Sequence, residues 1–119
     1  WHPGQRAFVE HQRTPDKATG RPYSLRYSGA MVADVHRTLL EGGIFMYPAD
    51  MRDPTKPKAK LRLLYEVAPM SMVAEQAGGR STTGTERVLD IKATEYHQRV
   101  SILVGSPDDV ALAEEFYRR

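Results

Sequence analysis

Cysteine is absent from this chain of 119 residues. Its absence excludes a disulfide framework, a cysteine nucleophile and any metal or iron–sulfur site built on thiolates. The chain also lacks long apolar runs: residues 101–104 form one of the longest, far short of the ~20 residues that cross a bilayer. We therefore expect no thiol chemistry and no membrane partner.

A strong charge of one sign is also lacking. Lys and Arg number 17 and Asp and Glu number 15, so the net charge is only +2 although the pI is about 9.0. An excess this small does not indicate a nucleic-acid-binding protein. The four histidines show no metal-ligand spacing, and no glycine-rich phosphate loop of the Walker or dinucleotide type is present.

What is present indicates one folded domain. Apolar residues make up 40% of the chain and charged residues 27%, and the mean hydropathy is −0.53, as is typical of globular domains. The sequence begins at Trp1 with neither an initiator Met nor a charged-then-apolar leader. We therefore expect that the original N-terminus was lost by processing, design or proteolysis, together with any targeting signal.

The first 22 residues are rich in Pro, Gly and polar side chains, which indicates loop apart from a possible short helix over 5–11. From Ser28 the apolar residues recur at intervals of three and four, which predicts a helix that ends at Gly42. The apolar residues 44–47 then predict a strand, and the Pro-containing stretch 48–60 predicts a loop.

Residues 61–77 have a helical apolar stripe that Pro69 interrupts, so we expect a kinked or broken helix. Short strands are expected at 81–84, 88–91 and 100–104. Ser106 and Pro107 then predict a capped C-terminal helix. The alternation of helices and strands predicts a layered α/β domain.

Three polar features stand out. Residues 26–30 combine a guanidinium, a phenol and the free N–H groups of a helix start, which would bind an anion or sugar hydroxyl or simply form a capped helix. Lys60 and Arg62 would meet a phosphate or form a solvated basic loop. Glu66 lies in an apolar run, so it should face a cation, a metal or water, and a nearby arginine would make it purely structural. Together they favour an anionic small ligand over a polymer.

Several strings, in one order and spacing, closely resemble class I fructose-1,6-bisphosphatase. They are residues 27–37, 42–49, 60–66, 77–79, 82–84, 97–99 and 105–110. The resemblance runs from about residue 23 to the end, whereas residues 1–22 match poorly. It implies an α/β fold of the layered sugar-phosphatase type, with a mixed sheet flanked by helices, over 23–119 behind an irregular segment 1–22.

The resemblance also implies hydrolysis of the 1-phosphate of fructose 1,6-bisphosphate to fructose 6-phosphate and phosphate, with Mg2+, in gluconeogenesis or carbon fixation. Tyr27, Tyr47 and Lys60 would bind the 6-phosphate and the sugar. Arg26 would reach into the active site of a neighbouring subunit, as in the family's homotetramer. A cytoplasmic location is implied, with a plastid left open.

The backbone around Gly29, Ala30 and Met31 would contact sugar hydroxyls, although Ala30 stands where many relatives are expected to have serine. Arg62 would lie near the 1-phosphate, and Glu66 would be a metal ligand. The family's other metal carboxylates, including its Asp-Pro-Leu-Asp-Gly-Ser motif, are not in this sequence. One carboxylate cannot hold Mg2+, which needs near-octahedral oxygen ligands.

We therefore expect the C-terminal half of a fructose-1,6-bisphosphatase, with no catalytic residue of its own and no activity until it is joined to its missing N-terminal half. Two alternatives are a stand-alone sugar-phosphate-binding or regulatory domain and a sedoheptulose-bisphosphatase relative. A nucleic-acid module using the basic residues of 52–62 would need steeply salt-dependent binding; we expect no nucleic-acid partner.

Overall fold

The computed structural model describes all 119 residues, as four α-helices and three β-strands. The helices are α1 (Pro3–Arg13), α2 (Met31–Glu41), α3 (Ala68–Gln76) and α4 (Pro107–Arg118), and the strands are β1 (Ile44–Tyr47), β2 (Arg80–Thr82) and β3 (Ile102–Gly105). A π-helical turn, Leu63–Val67, leads into α3, and a 3-10 turn, Val88–Asp90, follows β2.

The strands form one sheet in the order β1-β3-β2, with β3 antiparallel to both neighbours. A mixed sheet was expected, but the three strands of this chain pair only in antiparallel fashion. Phe45 lies opposite Val104 and Tyr47 lies opposite Ile102. Because side chains alternate along a strand, the two faces of the sheet carry separate apolar clusters.

The first cluster lies under α2 and α3, and the second lies under α1 and α4. The buried members of the first cluster are Val35, Leu61, Leu63, Val67, Ala74, Val88, Ile102 and Val104. Those of the second cluster are Phe8, Leu103, Ala113 and Phe116. A sheet with helices on both faces is a layered α/β domain. The predicted fold class is confirmed.

Helix α1 is longer and better packed than the short helix expected within an irregular segment. Phe8 is fully buried, and its ring meets that of Phe116 edge to face at 5.9 Å. Gly4 lies so close to α4 that a Cβ would come within 2.5 Å of the Phe116 carbonyl oxygen. Phe8 is the only large apolar side chain that α1 buries, which is why the sequence pattern is weak there.

Helix α2 begins at Met31, with Ala30 rather than Ser28 at its N-cap. Ser28 instead forms a local turn in which its Oγ accepts the N–H of Ala30 at 3.2 Å. Gly29 occupies the left-handed region with φ 81° and leads the chain into the helix. The helix ends where predicted, at Gly42, whose φ is 79°.

The interruption expected at Pro69 occurs just before it. The backbone forms a π-helical turn over Leu63–Val67, and Pro69 then lies in the first turn of α3. A first-turn residue has no intrahelical acceptor for its N–H, so proline is tolerated there.

Two local predictions are wrong. Where a strand was expected at 88–91, Val88–Asp90 form a 3-10 turn that buries Val88. The hydroxyl of Ser106 does not cap α4: its Oγ accepts the N–H of Gly43 at 3.1 Å, joining the start of α4 to the end of α2. A contact across 63 residues of sequence outweighs the local cap.

Candidate functional site

A short antiparallel ladder positions the basic strip at residues 60–63. The N–H of Leu63 donates to the carbonyl of Gln98 at 2.8 Å, and the N–H of Val100 donates to that of Leu61 at 3.0 Å. Leu61 is buried in the first core cluster. Lys60 is therefore held at the end of the loop 48–60 although its side chain is exposed and makes no hydrogen bond or ion pair within the chain.

Arg62 and Glu66 form an ion pair across the π-helical turn. Arg62 Nε donates to Glu66 Oε1 at 2.9 Å, and the Arg62 N–H donates to the same oxygen at 3.2 Å. These bonds hold the pKa of Glu66 below its ordinary value, and the charge of Arg99 contributes in the same direction. The sequence left open whether Glu66 pairs with a nearby arginine or faces a metal or water, and the structure shows the pairing with an arginine.

The pairing leaves one carboxylate oxygen of Glu66 without a hydrogen bond, since both bonds from Arg62 end on Oε1. No group of three or more His, Asp or Glu side chains comes together anywhere in the chain. The residues present therefore do not make a magnesium site by themselves, because Mg2+ needs several oxygen ligands in near-octahedral geometry. At most, Glu66 contributes one of them.

Arg99 belongs to the same strip, and sequence reasoning did not assign it. Its Nη1 donates to the backbone carbonyl of Lys60 at 3.0 Å, and it lies opposite Arg62 in the ladder. The other N–H groups of this exposed guanidinium have no acceptor within the chain. The string 97–99 was recognisable, but only the ladder shows that Arg99 adds a third cation beside Lys60 and Arg62.

A second group of predicted residues lies in the segment before α2. Arg26 and Tyr27 are exposed, Tyr27 by 87%, and neither side chain has a polar partner within the chain. They line an open groove of about 490 Å³. Gly29 and Ala30 are also exposed, and the N–H groups of the following helical turn have no intrahelical acceptor.

The same groove contains an acid that sequence reasoning missed. Asp34 is 7% exposed, yet its carboxylate takes part in no hydrogen bond or ion pair within the chain. Its position in the first turn of α2 is favourable for a negative charge. A period of 3.6 residues places Asp34 beside the core face, but the pattern alone does not show that the carboxylate has no partner.

Tyr47 and Met31 are the remaining predicted site residues. Both are partly buried and pack against the first core cluster, to which Leu61 also belongs. Lys60, Arg62 and Glu66 are thus brought together in one strip, while residues 26–30 lie in a separate segment bordering the same core. None of these placements tests the assigned roles, which stay predictions.

The structure defines an α/β domain that carries exposed cations and phenols without internal partners. The chain belongs to the family described as "Fructose-1-6-bisphosphatase, C-terminal domain", whose model matches residues 1–118. The resemblance is confirmed, and the expectation that residues 1–22 match poorly is wrong, because the match begins at residue 1.

Curated relatives agree along the whole chain. A class 1 fructose-1,6-bisphosphatase of Oleidesulfovibrio alaskensis is 54% identical over 119 residues, which are all of this chain and 35% of that protein. One from Maridesulfovibrio salexigens is 52% identical over 99% of this chain and 35% of its own length, and one from Chlorobium chlorochromatii is 55% identical over 95% and 33%. The chain spans about a third of the length of these relatives. No helix in the structure is both long enough and apolar enough to cross a membrane.

Proposed function

We propose that this chain is the C-terminal part of a class 1 fructose-1,6-bisphosphatase and forms the sugar-phosphate side of its active site. The match of the whole chain to the C-terminal domain of that family carries the proposal. The reaction is hydrolysis of the 1-phosphate of fructose 1,6-bisphosphate to fructose 6-phosphate and phosphate. The preceding part of the enzyme supplies the rest of the site.

The side chains assigned to the 6-phosphate and the sugar are those without internal partners. The side chains of Lys60, Tyr27 and Tyr47 make no hydrogen bond within the chain, so binding a phosphate through them would not break an existing bond. Holding the distal phosphate in this way orients the scissile one for attack. Arg26 binds the same phosphate in a neighbouring subunit of a homotetramer.

Gly29, Ala30 and Met31 offer backbone groups to the sugar hydroxyls. Arg62 lies near the 1-phosphate, and the unbonded oxygen of Glu66 is one ligand for Mg2+, with the remaining ligands from the preceding part. Mg2+, where bound, would supply positive charge at the phosphoryl group. We also propose a cytoplasmic location.

A chimera tests this function. Residues 1–119 replace the matching third of the Oleidesulfovibrio alaskensis enzyme, and phosphate release from fructose 1,6-bisphosphate is measured with and without Mg2+. The chimera is expected to be active only with Mg2+, and the 119-residue chain alone is expected to be inactive. A chimera that folds into the relative's assembly but releases no phosphate would contradict the proposal.

Two lysines of the same loop provide a matched pair of variants. In the chimera, Lys60→Ala is expected to lower kcat/KM at least about tenfold, equivalent to about 1.4 kcal/mol, by removing a phosphate contact. Lys58→Ala removes another exposed lysine two residues away and is expected to change kcat/KM less than about twofold. Equal effects of the two substitutions would remove Lys60 from the site.

The alternatives give different results. Submillimolar binding of fructose 6-phosphate to the isolated chain in calorimetry, together with an inactive chimera, would favour a stand-alone binding or regulatory domain. A chimera that prefers sedoheptulose 1,7-bisphosphate to fructose 1,6-bisphosphate would favour the sedoheptulose-bisphosphatase relative.

A further inference from the structure

Arg62 and Arg99 lie directly opposite each other in the short antiparallel ladder of the strip. The two backbone hydrogen bonds of this ladder join the neighbouring residues on each side and do not join the two arginines themselves. In a pair of this non-hydrogen-bonded type the Cα atoms are only about 4.5 Å apart, and both side chains project from the same face. The two guanidinium groups therefore start from closely spaced positions.

This arrangement of charges is unfavourable in the chain by itself. Like charges directly opposite each other in an antiparallel pair are destabilising. The strip holds three cations, Lys60, Arg62 and Arg99, and Glu66 is the only carboxylate that forms an ion pair with any of them. An excess of two positive charges therefore remains. Departures from locally favourable pairing are typical of functional sites, so the excess indicates an anionic ligand.

Both guanidinium groups are held in place and still have free donors. Nε of Arg62 donates to Glu66 at 2.9 Å, and Cζ of Arg62 lies 5.2 Å from the centre of the Tyr65 ring, while neither of its Nη groups makes a hydrogen bond within the chain. The guanidinium of Arg99 donates from Nη1 to the Lys60 carbonyl at 3.0 Å and makes no other hydrogen bond within the chain. Both side chains reach solvent. The free donors are therefore available to a ligand from outside the chain.

A phosphate group matches these donors better than a carboxylate. A guanidinium presents its donors as a planar fork, which bonds to two oxygens of a phosphate at once. A phosphate dianion can accept from both arginines and offsets both excess charges, whereas one carboxylate offsets only one of them. The phosphates of the proposed substrate are therefore suitable ligands for the arginine pair.

We propose that Arg99 is a further substrate-binding residue, which contacts the 1-phosphate of fructose 1,6-bisphosphate together with Arg62. This inference rests on the proposed function, in which Lys60 binds the 6-phosphate and Arg62 lies near the 1-phosphate. The bond from Arg99 to the Lys60 carbonyl fixes the guanidinium at the end of the loop 48–60. After hydrolysis the same two arginines hold the released inorganic phosphate.

Product inhibition of the chimera separates the two phosphate positions. Fructose 6-phosphate has the 6-phosphate and lacks the 1-phosphate, whereas inorganic phosphate is the released 1-phosphate. Arg99→Met keeps an unbranched side chain and removes the charge and the donors. At fixed Mg2+ it is expected to raise the inhibition constant of inorganic phosphate at least about tenfold, because a charged hydrogen bond is lost. The inhibition constant of fructose 6-phosphate is expected to change less than about twofold.

Three further variants serve as controls. Lys60→Ala is expected to give the reverse pattern, with weaker inhibition by fructose 6-phosphate and little change for inorganic phosphate. Lys92→Met removes an exposed cation from the same stretch of chain, whose side chain makes no hydrogen bond or ion pair, and both inhibition constants should stay within about twofold. Arg99→Lys keeps the charge without the planar fork, so it should recover part of the affinity for inorganic phosphate.

Three results in an active chimera would overturn the inference and leave the proposed function standing. Equal weakening of inhibition by both products in Arg99→Met would give Arg99 a structural role. Weakening for fructose 6-phosphate alone would assign it to the position of Lys60. Unchanged inhibition by both products would indicate that a carboxylate from the preceding part of the enzyme covers Arg99.

An inactive chimera would contradict the proposed function, and calorimetry with inorganic phosphate then tests Arg99 separately. Binding of inorganic phosphate that is weakened in Arg99→Met and unchanged in Lys92→Met would support Arg99 as a phosphate-binding residue. Absence of binding, or equal binding by the Arg99→Met variant, would overturn the inference.

Discussion

Replacing Phe8 with alanine tests whether α1 belongs to the core of this domain. The ring is fully buried between α1, α4 and the sheet, in a cluster with Leu103, Ala113 and Phe116. Phe→Ala substitutions in cores cost about 3–5 kcal/mol, because apolar contact is lost and a cavity remains. The lost edge-to-face pair with Phe116 contributes about 0.5–1.5 kcal/mol within such losses.

The expected loss is a large share of the 5–15 kcal/mol that typically stabilises a folded domain. The free energy of unfolding is measured by urea titration of the 119-residue chain, followed by circular dichroism. A loss of at least about 3 kcal/mol is expected for Phe8→Ala, with an unchanged dependence on urea. Arg6→Ala, on the exposed side of α1, is expected to stay within about 0.5 kcal/mol. A loss below about 1 kcal/mol for Phe8→Ala would refute the docking of α1 on the core.

Three further predictions concern the strip and the C-terminal helix. Because Arg62 lowers the pKa of Glu66, the ion pair stabilises the fold at pH values above 4.5, the ordinary pKa of Glu, and that stability is lost as the pH falls through the lowered pKa. In acid unfolding, Glu66→Gln should flatten the dependence of stability on pH in this range. An unchanged slope would contradict the ion pair. Burial raises the pKa of Tyr117 to about 12, so the folded state keeps a proton that the unfolded state loses near pH 10. Stability should therefore fall as the pH rises from about 10 to about 12, and it should fall less in Tyr117→Phe. Gly84→Ala should cost about 1–3 kcal/mol in urea unfolding, because φ is +110° and the new Cβ would lie 2.4 Å from the Tyr117 ring. Gly20→Ala, with φ +75° and no atom within 4 Å, carries the backbone strain alone and should cost less.

Local chemistry explains the parts of the fold that were predicted. Gly42 ends α2 because it adopts a positive φ at low cost, and Pro107 begins α4 because a first-turn residue needs no N–H donor. The interruption near Pro69 follows from the same property of proline. Each of these signals acts within a few residues, so it can be read without knowing what packs against the element.

The wrong predictions concern residues whose structure depends on distant parts of the chain. Ser106 was expected to cap its own helix and instead bonds to Gly43. Residues 88–91 have a strand-like composition, but Val88 enters the core from a 3-10 turn. In both places a contact with a distant part of the chain replaced the local preference.

The sequence by itself determined the α/β class, the family resemblance and the candidate residues of the strip, because motifs and caps are short-range patterns. It left open whether Glu66 meets an arginine or a metal. Only the tertiary structure decided that Arg62 pairs with Glu66, that Arg99 bonds to Lys60 across 39 residues of sequence, and that β1 has an unpaired edge. These facts depend on strand register and on long-range packing, which no local pattern in the chain specifies.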